Sequence, residues 1–310
     1  MYPHNFDIKK ENNKYYLISE GKKIKALYEP KQFVCDTSKS LIEYIRSDLD
    51  RNGKIHINDD ATLTFNVFCA YHIFSRQKQL PNDADKTFRI APMYDRCLVE
   101  TTYGPFSKTQ RKDRLTDIRD GTKKHLGEEL FLQLTECAWR LHRQHEGESS
   151  NEGISHEQFK KTEASKEVFN LIKRLSIVKQ NVVYVLTEYL AYDSILLAIG
   201  LVEKWVSVES FVQAAMVIGS RLNSDNPEWD DEWHQDSYNA FQNVAIQSLS
   251  YIMHADISLP KELTLEESLT HEYKASVRTP YPSYPDAQVD EKGHTFYKLG
   301  TNKFKSKNEV

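Results

Sequence analysis

The apolar tract at 181–222 constrains the fold most strongly, because the chain around it is polar, with a mean hydropathy of -0.63. Its first half is apolar on nearly every helical face, which is typical of a membrane span or of the buried centre of a bundle. Glu188 and Asp193 lie inside it, and each charge would cost about 2.5–3.5 kcal/mol in lipid on insertion scales. We therefore expect a buried core helix running through Tyr189 and Leu201, and then a second helix capped by Ser207.

Length, net charge and cysteine content limit the number of domains and the kinds of partner that we expect for this chain. A chain of 310 residues can bury a sizeable core and suggests two domains. Its 41 basic and 45 acidic residues give a net charge of -4, which argues against nucleic acid or an anionic membrane surface as a partner. The four cysteines are far apart in the sequence, as expected for reduced thiols. The first residues contain no apolar stretch of the signal-peptide kind, and we expect neither a signal nor a transit peptide there.

The order of patterns predicts an α+β fold in which a small N-terminal antiparallel β domain, 1–105, precedes an α-helical bundle domain, 106–260. Alternating apolar residues and turn residues over 6–35 predict the strands. Asp36 or Ser38 is expected to cap a helix that ends near Gly53. Its apolar side would contain Leu41, Ile42, Tyr44, Ile45 and Leu49.

The remaining segments are less regular. We expect a helix over 63–74, an exposed helix or loop over 106–125, a helix over 128–143 and a surface linker over 144–166. Helices should then fill 167–255, the last being amphipathic. Residues 261–310 contain prolines interleaved with tyrosines and too few aliphatic residues for a core, and are expected to form an extended tail.

A calcium-loop motif is the sharpest short motif in the chain. Asp48, Asp50, Asn52 and Asp59 occupy positions one, three, five and twelve of the pattern D-x-[DN]-x-[DN]-G. The final ligand is Asp where a bidentate Glu is usual. A helix end followed by an Asn-Gly turn accounts for the same residues without a metal.

Other chemical motifs are weak or missing. His142, His145, Glu146 and His156 do not complete a tetrahedral ligand set and are expected on a solvated surface. The sequence has no G-x-S-x-G, Gly-rich phosphate loop or H-E-x-x-H pattern. We therefore predict no catalytic residues and no cofactor.

An acidic segment with two tryptophans follows the second core helix. Trp229 and Trp233 lie among carboxylates directly after Ser220-Arg221-Leu222. Tryptophan is a preferred anchor residue of protein interfaces, so this segment is a candidate binding site. The alternative is that both rings pack back on the bundle.

The run 194–222 is SILLAIGLVEKWVSVESFVQAAMVIGSRL. It contains a helix pattern small-x-x-L-x-x-G-L, an acidic helix with Val-Glu near its start, and Ser-Arg-Leu before an acidic, Trp-bearing loop. In these features it resembles the carboxyl-terminal domain of the Atp-twelve family. Residues 6–57 are similar to the small β domain of that family and its first helix. The family consists of assembly chaperones that hold the α subunit of the ATP synthase catalytic head. The resemblance implies a non-enzymatic protein of the mitochondrial matrix, or of an α-proteobacterial cytoplasm, that does not itself span a membrane.

Relative to the family, 128–165 is an inserted charged segment, and a further departure lies directly after S-R-L. The family carries a run of carboxylates after S-R-L, whereas this chain has Asn223, Ser224 and Asp225. The resemblance still implies partner contacts by Arg221, Asn223, Asp225, Trp229 and Trp233. A second hypothesis is a permanent accessory subunit of a large mitochondrial complex, either ATP synthase or a respiratory-chain complex, with 261–310 laid across its neighbours.

Overall fold

The computed structural model describes residues 6–25, 33–52, 82–99, 106–145, 153–190, 193–220 and 231–255, together with the pairs 288–289 and 295–296. A small antiparallel sheet at the N-terminal end is followed by helices, so the predicted α+β fold class is confirmed. The strands are β1 (Phe6–Glu11), β2 (Lys14–Ser19), β3 (Lys22–Lys23) and β4 (Cys35–Asp36), with a separate pair β5 (Gln288–Val289) and β6 (Thr295–Phe296).

Two tight turns build the sheet around β2. Asn12 and Asn13 join β1 to β2 with φ of 49° and 61°, and Glu20 and Gly21 join β2 to β3 with φ of 49° and 72°. Positive φ at both central residues is the geometry of a two-residue hairpin turn whose twist matches the strands. β3 and β4 both pair with the second edge of β2, which places β2 in the centre of the sheet.

Helix α1 (Lys39–Asn52) packs on this sheet and begins as the sequence predicts. The Ser38 hydroxyl accepts a hydrogen bond from the Leu41 amide at 3.3 Å, and Asp36 Oδ1 accepts from the Ser38 amide at 2.7 Å. Both candidate caps therefore contribute to the helix start. All five residues of the predicted apolar side are buried, namely Leu41, Ile42, Tyr44, Ile45 and Leu49.

The helices that follow in the described residues form a bundle. They are α2 (Asn82–Ile90), which continues into a 3₁₀ turn at Ala91–Tyr94, α3 (Lys108–Leu126), α4 (Glu128–His145), α5 (His156–Phe159), α6 (Glu163–Arg174), α7 (Ile177–Tyr189), α8 (Ile195–Val202), α9 (Val208–Ser220) and α10 (Asp231–Ala255). None of the described helices is both long and apolar enough to cross a bilayer.

The apolar tract forms three helices where the sequence predicts two. The expectation of one core helix through Tyr189 and Leu201 is wrong, because α7 ends at Tyr189 and α8 begins at Ile195. The Ser194 hydroxyl caps α8 by accepting from the Leu197 amide at 3.1 Å. The predicted cap of the next helix is confirmed, since Ser207 Oγ accepts from the Ser210 amide at 3.0 Å.

The end of α8 is a Schellman motif with an unusual residue in its left-handed position. The Trp205 amide donates to the Gly200 carbonyl at 2.7 Å, and the Lys204 amide donates to the Leu201 carbonyl at 3.2 Å. This pair of bonds defines the motif. Lys204 has φ of 57°, a conformation that glycine usually supplies.

Two charged segments are more ordered and more buried than the sequence predicts. Helix α3 buries Leu115 and Ile118 and packs against α8 and α9, so it is not the exposed element expected over 106–125. The expected linker over 144–166 contains α5 and the start of α6. There the Ser155 hydroxyl accepts from the Gln158 amide in a capping box, and Phe159 is fully buried.

One continuous core joins the sheet, α1 and the helices. Residues 82–99, which the sequence places in the N-terminal domain, pack among the helices through contacts of α2 and the 3₁₀ turn with α4, α6 and α7. At the other side α1 packs against α10, where the Ser38 hydroxyl donates to the His254 carbonyl and the Tyr44 ring stacks on the His254 ring at 5.0 Å. The helix predicted over 63–74 lies outside the described residues.

Candidate functional site

The predicted partner-binding residues belong to the segment between α9 and α10 and to the start of α10. Arg221, Asn223, Asp225 and Trp229 lie outside the described residues, and Trp233 lies in the first turn of α10. Helix α9 ends at Ser220 and α10 begins at Asp231, so the acidic segment connects them directly. The position of its ends therefore depends on how α9 and α10 pack.

Helices α9 and α10 pack against each other, and the end of α9 lies close to Phe241, ten residues into α10. A Cβ placed on Gly219 would lie 3.1 Å from Cζ of Phe241, so the glycine lets the aromatic ring reach the backbone of α9. Val212, Ala215 and Met216 of α9 are fully buried. The contact of Gly219 with Phe241 therefore sets the spacing of the two helices at the end of α9.

A polar network covers the outer surface where α3, α9 and α10 meet. Glu209 accepts hydrogen bonds from Gln213 Nε2 at 2.6 Å and from the Tyr238 hydroxyl. Arg114 of α3 donates to Gln213 Oε1 and lies over the Phe106 ring at 4.3 Å. These side chains, together with Asp117, which accepts from the Ser210 hydroxyl, form the α3–α9–α10 face.

The α3–α9–α10 face can accept hydrogen bonds from a partner. Glu209 and Asp117 are exposed carboxylates, and each already has a donor that fixes its orientation. Carboxylates held in this way are ready to accept charge-assisted bonds from basic side chains. The face is therefore suited to polar contacts with basic groups.

Sequence reasoning missed a second polar cluster, which lies in the core. The Asp95 carboxylate is fully buried at the first turn of α8. Its Oδ1 accepts from the Cys97 amide at 3.0 Å and from the Ser194 hydroxyl at 2.8 Å, and its Oδ2 accepts from the Leu196 amide at 2.8 Å. Asp95 thus binds the N-terminal end of α8, where the helix dipole also favours an acidic group.

Burial controls the protonation of this cluster. It raises the pKa of Asp95 to about 7, against the opposing effect of the Leu196 amide and the Ser194 hydroxyl. Burial also raises the pKa of the Cys97 thiol, whose Sγ lies 3.3 Å from Ser194 Oγ. A neutral buried thiol is a poor nucleophile, so the cluster is not arranged for covalent catalysis.

The cluster could not be found from local patterns. An Asp whose side chain accepts from the amide two residues later forms an Asx turn, and Asp95 with Cys97 is an example. The amide of Leu196, which completes the site, is 101 residues away in the sequence.

The residues of the two metal hypotheses, the calcium loop and the histidine cluster, lie in different parts of the fold. Asp48, Asp50 and Asn52 lie in the last turns of α1 with helical backbone, and Asp59 lies outside the described residues. His142 lies with its edge against the Trp139 ring at 5.7 Å, whereas His156 Nε2 is 2.5 Å from the Tyr94 hydroxyl. Across the described ranges, no three His, Cys, Asp or Glu side chains gather in a way that could hold a metal ion.

The chain matches no protein-family model, no curated protein and no solved structure. The resemblance of residues 194–222 to the Atp-twelve family therefore stays a prediction.

Proposed function

We propose that the protein is a non-enzymatic binding factor that holds the α subunit of the ATP synthase catalytic head before the β subunit replaces it. The resemblance of 194–222 supports this proposal, and so does the order of an N-terminal antiparallel sheet followed by helices. The observation that carries it is the packing of α9 against α10, the two helices that the acidic, Trp-bearing segment connects.

The segment from Arg221 to Asp230 is short and joins two helices that pack against each other. A short connection between packed helices limits the entropy that is lost when a partner binds it. Trp229 and Trp233 would supply the large apolar contacts that dominate most interfaces. The surrounding carboxylates would form the polar rim of that contact.

The α3–α9–α10 face extends the proposed contact surface. Its oriented carboxylates are Glu209 on α9, which leads into the segment, and Asp117 on α3, which packs against α9. We expect them to meet basic side chains of the client and to speed its association at low salt. Their exposure makes their contribution to affinity smaller than that of the tryptophans.

A holding factor of this type acts by mass action. A binder present at about 100 times its Kd stabilises its client by about 2.7 kcal/mol against states that it does not bind. It also covers apolar subunit-interface surface that would otherwise aggregate. Release follows when the β subunit competes for the same surface.

The test is binding of the full-length protein to free α subunit. We expect wild type to bind, and the double variant Trp229→Ala with Trp233→Ala to lose at least about 10-fold in affinity, the scale of an interface hot spot. Trp139→Phe is the matched control, because Trp139 packs partly buried on α4 outside the proposed surface.

Purification of the full-length protein together with its partners distinguishes the chaperone hypothesis from the accessory-subunit hypothesis. Transient capture of free α subunit, lost on addition of β subunit, supports the chaperone. Stoichiometric co-purification with a mature complex through salt washes would contradict it and would favour the permanent accessory subunit. Failure of wild type to bind free α subunit at micromolar concentration would also reject the proposal.

A further inference from the structure

The N-terminal sheet has two faces, and the side chains of each strand alternate between them. The inner face contributes Phe6, Leu17 and Val34 to the core that the sheet shares with α1. The register of the strands places Tyr16 and Ile18 on the other face, and neither residue belongs to that core cluster. The sheet therefore has an outward side with apolar residues of its own.

Lysines alternate with the apolar residues on this outward side. Across neighbouring strands, each apolar residue is paired with a lysine: Tyr16 with Lys9, Ile18 with Lys23, and Phe33 with Lys25. Lys9 and Lys25 are exposed, and Phe33 is 39% exposed, although large hydrophobic side chains are usually buried. We call these six residues the outer sheet face.

Lys23 holds the two aromatic rings of the outer sheet face together. Its Nζ lies 3.9 Å from the centre of the Tyr16 ring and 5.6 Å from the centre of the Phe33 ring. The same Nζ pairs with Glu11 Oε1 at 3.0 Å. A cation over an aromatic ring is attracted by it, so the rings are oriented before any partner arrives. Lys9 and Lys25 then provide positive charge on either side.

The charge of the sheet is opposite in sign to that of the whole chain. Residues 6–25 contain six lysines and three acidic residues, a net charge of +3, whereas the chain carries -4. A basic surface with oriented aromatic rings is complementary to an acidic segment that carries large apolar side chains. The chain contains such a segment, since residues 225–233 have five acidic residues, no basic residue and two tryptophans.

The sheet and the acidic segment belong to opposite ends of α10. Ser38, which directly follows the sheet, bonds to the His254 carbonyl in the last turn of α10, and the acidic segment leads into Asp231 at its start. The 25 residues of α10 separate these ends by about 36 Å. The connection 221–230 is held at both ends and can extend from them by at most about 18 Å. A contact between two copies fits these lengths better than a contact within one chain.

We propose that the outer sheet face binds the acidic, Trp-bearing segment of a second copy of this chain. Two copies related by a two-fold axis make this contact twice, which closes the assembly as a dimer. The tryptophans pack against Tyr16 and Phe33, and the carboxylates lie beside Lys9 and Lys25. Dimer formation thus covers the segment that takes the client, a consequence that rests on the proposed function, and client and second copy compete for it.

Sedimentation velocity of the full-length protein tests the dimer, from 1 to 100 µM protein at 50 and 500 mM salt. We expect a concentration-dependent dimer at 50 mM salt that weakens at 500 mM, because salt screens exposed charges. Lys9→Glu with Lys25→Glu should lower the association constant at least about 10-fold, since the dimer contains each reversed charge twice. No α subunit is present, so failure of this test rejects the dimer without rejecting the binding of α subunit.

A matched control changes the same charge on the other face of the same sheet. Lys10 and Lys22 are exposed and pair with Tyr15 and Ser19 on the inner side, so Lys10→Glu with Lys22→Glu should leave the association constant within about 2-fold. Circular dichroism melting of each variant confirms that it is folded.

A charge exchange tests the contact itself. Glu228→Lys with Asp230→Lys should also abolish the dimer, because a basic segment then meets a basic sheet. Mixed with the Lys9→Glu, Lys25→Glu variant, it should form a mixed dimer, since each contact in that pair joins opposite charges. A wild type that stays monomeric at 100 µM and 50 mM salt, a dimer that survives Lys9→Glu with Lys25→Glu, or no mixed dimer would overturn the proposal. So would a monomer whose outer sheet face binds a single-stranded poly-uridine 20-mer instead.

Discussion

Replacing Gly121 by alanine should destabilise the protein even though alanine is the better helix former. Gly121 lies buried in α3 where this helix crosses the end of α8. A Cβ there would lie 2.9 Å from Cβ of Trp205 and 3.5 Å from its carbonyl oxygen. A Cβ is bonded directly to the backbone, so no rotation of the indole relieves the contact. The backbone of Trp205 is itself fixed by the Schellman motif.

Two opposing free energies decide the size of the effect. Inserting a methyl group into a packed site costs about 1–3 kcal/mol. Alanine regains about 0.5–1 kcal/mol of backbone entropy and helix propensity relative to glycine. The midpoints of these ranges, about 2 and about 0.75 kcal/mol, leave a net loss of unfolding free energy of about 1 kcal/mol, which for a chain of 310 residues corresponds to a fall in Tm of roughly 1–3 °C.

Urea unfolding followed by far-UV circular dichroism measures this difference. Thr116→Ala is the matched control, because Thr116 is exposed on the same helix and its substitution should change the unfolding free energy by less than about 0.5 kcal/mol. Should Gly121→Ala prove as stable as wild type while the control behaves normally, the close approach of α3 to the end of α8 would be wrong.

Three further predictions test other parts of the chain. Lys204→Gly should raise the unfolding free energy by about 0.5–1 kcal/mol, because glycine adopts the positive φ of this position without strain; no gain in urea unfolding would contradict the Schellman assignment. Ser207→Ala should lower it by about 1 kcal/mol through loss of the cap of α9, and Ser207→Asp should retain most of it. The calcium hypothesis requires a calcium-dependent rise in Tm that Asp48→Ala abolishes, and the absence of any rise in wild type would exclude it.

The start of α1 was predictable because its signals are local. Asp36 and Ser38 lie within five residues of the first apolar residue, and the helical spacing from Leu41 to Leu49 fixes the buried side. The capping box at Ser155 was equally local, with Gln158 three residues later. The expectation of a linker there followed from overall polarity, which outweighed this short signal.

The break between α7 and α8 was not predictable in the same way. Apolar residues continue through it, so helical periodicity gives no sign of an end at Tyr189. The break depends on Ser194, which caps α8, and on Asp95, whose carboxylate accepts a hydrogen bond from the Ser194 hydroxyl. Asp95 lies 99 residues before Ser194 in the sequence. A partner so distant in sequence leaves no pattern near the break. The buried cluster around Asp95 could not be predicted either, because its members are far apart in the sequence. The acidic, Trp-bearing segment could be recognised because its residues are consecutive.

The contact between α1 and α10 sets an order of events during synthesis. The sheet and α1 leave the ribosome first, yet the Ser38 hydroxyl bonds to the His254 carbonyl, 216 residues later, and Tyr44 stacks on the same histidine. Until α10 has been made, the side chains of α1 that pack against it lack this cover. Nascent chains stalled before residue 255 should therefore expose the α1 surface to cellular chaperones, and release of the full chain should end that exposure.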